Sequence, residues 1–465
     1  MNKLYSIKDA ENLPIENVWE LYRKYVNNSQ VDLISSFGFG KDTVEKSEGI
    51  YIYTKNGKKI FDFTGGIGVL NHGHNHPRIL KVRKDFNEQI KMEVHKSFFS
   101  PYIAALSANI ASILPGDLNI SYFPNSGAEA VEGAIKIAYK YHDQKRNIIL
   151  HSDISFHGKT IGSSNITNSV ETSYYKFQKV LNTDIFKYNN IDSVKEKIKL
   201  HKNNIYAIII ETFSASSLLK CSESFIKELR KVCSEENIVL FFDEIYSGWC
   251  KTGKLFYFMN FEEVVPDILT SAKSLGGGKA SISCYTCRDH IFKKTYDNLR
   301  DATLHSTTYN GFGEETVTAI EAINIIIEEN FEKKSTILGE LLTKGLNDLR
   351  NKYPKIIKEI RGLGCLQGII INSDTTEKFL YPVLKVIPVK FLKDKQAIKK
   401  IIVSSIIFDL YESHNILTFY GSNKDIPLII SPSIIAKKDD IDYFLNSLDK
   451  TLDKGLLKIV SSFIS

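Results

Sequence analysis

Two short runs, 206–211 (YAIIIE) and 238–244 (IVLFFDE), are apolar at nearly every position rather than at every second one. A strand with that pattern has no solvent face, so both of its faces must be covered, as in a parallel sheet packed between helices. From about residue 80 to 325 such runs alternate with helical stretches. That order predicts an α/β fold with a doubly wound sheet, its ligand site at the C-terminal ends of the strands. After "TAIEAINIIIEENF" the pattern becomes helix, strands, helix, which predicts a smaller α+β unit. Upstream, "GIYIYTKNGKKIFDF" reads as a β-hairpin turning at Asn56-Gly57. The expected division is 1–79 as an N-terminal segment of the small domain, 80–325 as the large domain and 326–465 as the C-terminal part of the small domain.

Charge narrows the functional classes. Sixty basic and 54 acidic residues leave a net +6, spread without a basic tail or stripe, so nucleic acid is not an expected partner. No segment is apolar for long enough to span a bilayer, and the charged opening "MNKLYSIKDAENLP" lacks the apolar run of a signal peptide; a cytoplasmic protein is expected. Six cysteines in 465 residues do not make a disulfide scaffold, and the lone "CYTC" at 284–287 has no second ligand pair for zinc. It reads as a strand leading into a helix, and no metal is expected.

Chemistry is then sought at strand ends. In "FPNSGAEAVEGAIKIA" a turn becomes a helix with Ala130, Ala134, Ile135 and Ala138 on one face, and Ser126 with Glu129 has the spacing of a capping box. Small residues at a helix start also leave N–H groups open to an anion, which makes Ser126, Gly127 and Ala128 a candidate phosphate seat. Asp243 ends the apolar strand 238–244, and Lys273 follows thirty positions later through "VVPDILTSAK". Strand, acid, strand, lysine puts both groups at one edge of the sheet. The stretch "TSAKSLGGGKA" (270–280) is not a nucleotide loop: Ala280 follows Gly278-Lys279 where a Ser or Thr is required, and Lys273 stands where the first glycine should. Lys273, flanked by Ser271, Ala272 and Ser274, suits a Schiff-base lysine instead, with Asp243 as the acid that keeps a pyridine nitrogen protonated.

The chain resembles the class III aminotransferases of the ornithine, acetylornithine and putrescine type. Seven segments carry the resemblance in family order, "FDFTGGIGVLNHGHNHP", "PNSGAEAVEGAIKIA", "SFHGKTIGS", "DEIYSGWCKTGKLF", "PDILTSAKSLGGG", "HSTTYNG" and "EIRGLGCLQGI", and it runs from about residue 50 to the C-terminus. The resemblance implies fold type I of the pyridoxal 5'-phosphate enzymes: a large, mostly parallel, cofactor-binding domain and a small α+β domain built from both chain ends. It assigns Lys273 to the internal aldimine and Asp243 to the pyridine nitrogen. Ile245 and Phe156 would cover the two ring faces. Ser126, Gly127 and Ala128 would bind the phosphate, joined by Thr308 and Thr307 of a neighbouring subunit in a homodimer with shared active sites. Tyr246 stands where relatives often place a glutamine near the ring hydroxyl. The implied function is an aminotransferase moving nitrogen between a small-molecule amine donor and a carbonyl acceptor; racemases, aminomutases, lyases and decarboxylases share the fold.

Two departures bear on substrate. Relatives often carry a second acid after an "EP" pair, matched by an arginine near the C-terminus that binds an α-carboxylate. Here "ETFSASS" keeps Glu211 but puts Ser216 at the second acid, and Leu428 aligns with the arginine, after a stretch, 373–427, longer than is typical. Loss of both halves of an ion pair leaves no charge stranded. Glu211 and Lys159 remain candidates for substrate contact, although Lys159 reads equally well as a solvated side chain, and Lys251 reads as structural.

Overall fold

The computed structural model describes residues 4–169, 178–372 and 395–464. The part of the long stretch 373–427 between 373 and 394 therefore lies outside the described residues. The hairpin forms β1 (Tyr51–Thr54) and β2 (Lys59–Asp62), antiparallel about the turn that holds Asn56 and Gly57.

Seven strands make the central sheet. They are β3 (Leu118–Tyr122), β4 (Ile148–Ser152), β5 (Asn182–Phe186), β6 (Ile205–Ile210), β7 (Val239–Asp243), β8 (Ile268–Ser271) and β9 (Cys284–Arg288). Their spatial order is β3-β9-β8-β7-β6-β4-β5. Pairs from β8 through β5 are parallel, and β9 runs antiparallel to both of its neighbours. Every residue of β6 and β7 is buried, as their unbroken apolar runs require. "CYTC" is indeed strand β9, followed by the helix Asp289–Thr295.

Helix α1 (Gly127–Tyr141) lays Ala130, Val131, Ala134, Ile135 and Ala138 against the sheet. Its small residues let it approach closely. Its cap differs from the expected capping box in one half. Ser126 Oγ accepts from the Glu129 N–H, but Glu129 reaches back to the Asn125 N–H at 3.0 Å rather than to that of Ser126. The smaller sheet contains β10 (Ile357–Leu363), β11 (Leu366–Ile371) and β12 (Leu428–Ile430). Nearby, Ile416–Leu417 pairs in parallel with β2, so residues from both ends of the chain share one sheet. Among the described residues no helix is long and apolar enough to cross a membrane.

Candidate active site

Adjacent parallel strands bring the acid and the lysine together. Asp243 is the last residue of β7, lies opposite Thr270 of β8 in register, and is 4% exposed. Its Oδ1 accepts from the Ile245 N–H at 3.1 Å and the Thr270 hydroxyl at 3.2 Å, and its Oδ2 pairs with His157 Nδ1 at 2.7 Å. The next residue, Glu244, faces the other way and is consumed by the fold. Its carboxylate accepts from the Thr212 and Ser247 hydroxyls and from the Tyr257 and Phe258 N–H groups, all at 2.6–3.0 Å.

Lys273 stands two residues beyond the end of β8, in left-handed backbone with φ 54°. Its Nζ donates to the Ile67 carbonyl at 2.8 Å and lies 3.7 Å from the centroid of the Tyr246 ring. Burial pushes its pKa down to about 7; Asp243 and then Glu211 oppose that fall, and Lys251 adds to it. A large fraction of the amine is thus unprotonated near neutrality, with a lone pair available for a carbonyl carbon.

Both groups line a cavity of about 600 Å³. Ser126, Gly127 and Ala128, at the start of α1, line it together with Phe156 and Ile245. A Cβ on Gly127 would come within 2.9 Å of Ile245 Cδ1, so the helix start and the ring-side residue are in close contact. An anion seat, an apolar slot, a buried acid and an amine of lowered pKa fit one flat, phosphorylated pyridine aldehyde. Thr307 and Thr308 are not among the residues lining this cavity; the Thr307 N–H donates to the Tyr122 hydroxyl at 2.8 Å and Thr308 is exposed. Lys279 is exposed and outside the cavity lining.

Glu211 lines the cavity, yet its carboxylate is tied to backbone. Oε1 accepts from the Phe156 N–H at 2.9 Å and Oε2 from the Ala215 N–H at 3.3 Å. Burial, then the nearby Asp243, pushes its pKa up to about 8. Lys159 is exposed at the cavity wall. At the expected second acid, Ser216 Oγ accepts from Asn423 Nδ2 at 2.9 Å, a neutral pair beside a cavity edge formed by Phe419, Tyr420 and Ser422. Leu428 is fully buried in β12, opposite Ile369. Lys251 is also fully buried, donating to the Pro432 carbonyl at 2.8 Å and the Ser431 carbonyl at 3.4 Å. The Tyr246 hydroxyl goes to Ser431 Oγ at 3.5 Å.

Sequence reasoning missed His157 and Ile67. His157 lies inside "SFHG", in the loop that follows β4, and the signal was a histidine in the loop after a buried strand; Ile67 contributes only a carbonyl, which no side-chain pattern marks.

A family model described as aminotransferase class III matches residues 40–452. A transaminase from the marine bacterium Virgibacillus superposes with a TM-score of 0.81 at 22% identity, over 96% of this chain and 99% of that one. An ornithine aminotransferase from Toxoplasma gondii ME49 gives 0.79 at 21%, over 99% and 100%. An acetylornithine aminotransferase from Elizabethkingia anophelis gives 0.72 at 22%, over 95% and 99%.

Proposed function

The chain belongs to the class III aminotransferase family and is a pyridoxal-phosphate-dependent aminotransferase, and from that premise we propose which residues perform the transfer and on what. Bound pyridoxal phosphate supplies an electron sink that makes the amine-bearing carbon of a substrate acidic. Lys273 would hold the cofactor at rest and, when its amine is free, would carry the proton at the reacting carbon as general base and then acid. Asp243, fixed by His157, holds a proton at the pyridine nitrogen. Phe156 and Ile245 flank the ring, with Tyr246 close to Lys273. The N–H groups of Gly127 and Ala128, with Ser126, take the phosphate. The partner subunit's Thr307 and Thr308 complete that seat. The observation that carries this reading is the convergence of Asp243 and Lys273, from neighbouring strand ends, on one cavity.

The cavity wall supports a reading of the substrate class. Ser216 and Asn423 make a neutral pair beside Phe419 and Tyr420, and no arginine lines the cavity among the described residues. That favours an ω-amine, an amino sugar or another small carbonyl compound over α-amino acids. Glu211 acts here on substrate only indirectly, by holding the Phe156 and Ala215 segments, and Lys159 is a cation in the cavity lining. Single-turnover conversion of the bound cofactor, followed by absorbance, tests this: simple primary amines should react at least as fast as α-amino acids. A preference of more than about 100-fold for glutamate would overturn it (about 2.7 kcal/mol).

A homodimer is proposed on the same premise. Phe99 and Leu299 are fully exposed and Phe98 is 67% exposed, a set of apolar side chains suited to cover by a second copy. Light scattering showing a monomer at micromolar concentration would count against it. The six cysteines are all buried and unpaired, which supports a reducing, cytoplasmic setting.

A further inference from the structure

The Lys273 amine is held by two groups that the transfer chemistry above does not use. One is the Ile67 carbonyl, 2.8 Å from Nζ. The other is the Tyr246 ring, whose centroid is 3.7 Å away. Gly65, Gly66 and Ile67 are left-handed in succession (φ 53°, 58° and 58°), a conformation that a β-branched residue disfavours. The turn thereby aims the carbonyl of residue 67 at the amine. Gly68 comes next, and a Cβ there would fall 2.6 Å from Tyr246 Cε1, so any larger residue would displace the ring. Strain and space in this loop both serve the same spot, which is where functional strain is usually found.

We propose that the Ile67 carbonyl and the Tyr246 ring form a cradle for the Lys273 ammonium, and that Tyr246 is a positioning residue acting through its ring face rather than its hydroxyl. A general base that takes a proton in a desolvated cavity becomes a cation there. A carbonyl oxygen and an aromatic face both favour that cation without adding a formal charge. The charged groups that also act on Lys273 are Asp243 and Glu211, which favour its protonation, and Lys251, which opposes it. The cradle thus offsets part of the burial that holds the amine near neutrality, and it fixes where the proton is carried. The proposal rests on the functional reading only for the importance of Lys273.

The test reads the amine directly, in the full-length protein stripped of cofactor. Acetic anhydride labelling of Lys273 across pH, quantified by mass spectrometry of its peptide, gives the titration midpoint. Tyr246→Phe, which keeps the ring, should titrate like the parent protein. Tyr246→Leu should lower the midpoint by about one pH unit. Leucine can also repack the site, so a second series places phenylalanines of increasing fluorination at 246, weakening the ring face with little change of shape. The midpoint should fall stepwise along that series. A flat series, or a shift in Tyr246→Phe as large as in Tyr246→Leu, overturns the cradle. Neither result depends on whether the enzyme turns over, so failure of the cradle and failure of the functional reading are told apart.

Discussion

Lys251 and Lys273 both carry their amines into the interior, and in both burial lowers the pKa, to about 8 and about 7. Lys251 donates to the carbonyls of Ser431 and Pro432, is fully buried and is absent from the cavity lining. Among the described residues no carboxylate lies within ion-pair distance of it. Lys273 makes one carbonyl hydrogen bond, rests on one aromatic face and opens on the cavity beside Asp243. A low pKa is therefore common to both and does not by itself make a reactive lysine. What separates them is an unspent donor, an accessible lone pair and a fixed acid nearby.

The strongest way to break the comparison is to make the same exchange at both positions. Lys273→Arg cannot lose its proton and should cost on the order of 10⁴-fold in turnover. Lys251→Arg, whose guanidinium has donors for the same two carbonyls, should stay within about 10-fold by steady-state assay. Equal losses would erase the distinction. The neighbouring acids allow a parallel exchange. Asp243→Asn should lower kcat by on the order of 10³-fold. Glu244→Gln should instead lower thermal stability, by about 1–3 kcal/mol, because its new amide donors meet groups that already donate.

Smaller effects sharpen the contrast. Lys251→Met leaves the Pro432 and Ser431 carbonyls without their donor and should cost about 1–3 kcal/mol in unfolding while cofactor absorbance is retained. The pH dependence has a definite sign. The folded pKa of Lys251, about 8, lies below its ordinary 10.5, so between those values the unfolded chain binds the extra proton. Stability from this group therefore rises with pH from about 8 to 10.5, and below 8 the full penalty of the buried charge is present. Unfolding curves of Lys251→Met should show a smaller rise than the parent protein over that range, because the part due to Lys273 remains. His157→Asn, which removes the ring from Asp243 Oδ2, should cost about 10-fold in kcat, near the value of one hydrogen bond to a charged group.

How far these features could be read from sequence depends on how local they are. Asp243 and Lys273 were legible because β7 and β8 are neighbours in the sheet as well as consecutive strands, so chain order and spatial order coincide. Ser126, Gly127 and Ala128 were legible because a helix start is a local event. His157 was not, because β4 is separated from β7 by β6 and its meeting with Asp243 needs the strand order. The fate of Glu211 was hidden for a related reason: its partners are N–H groups, which no residue pattern advertises. Lys251 reads in "WCKTGK" as structural, but only the folded segment Ser431-Pro432 shows how completely it is enclosed.

Borohydride reduction of the purified, cofactor-loaded protein, followed by peptide mass spectrometry, puts the contrast between the lysines to its most direct trial. The expected result is a single phosphopyridoxyl adduct on Lys273, with Lys251 and Lys279 unmodified and no adduct in Lys273→Ala. An adduct on another lysine, or none at all in protein that has been saturated with pyridoxal phosphate, would contradict the assignment of Lys273.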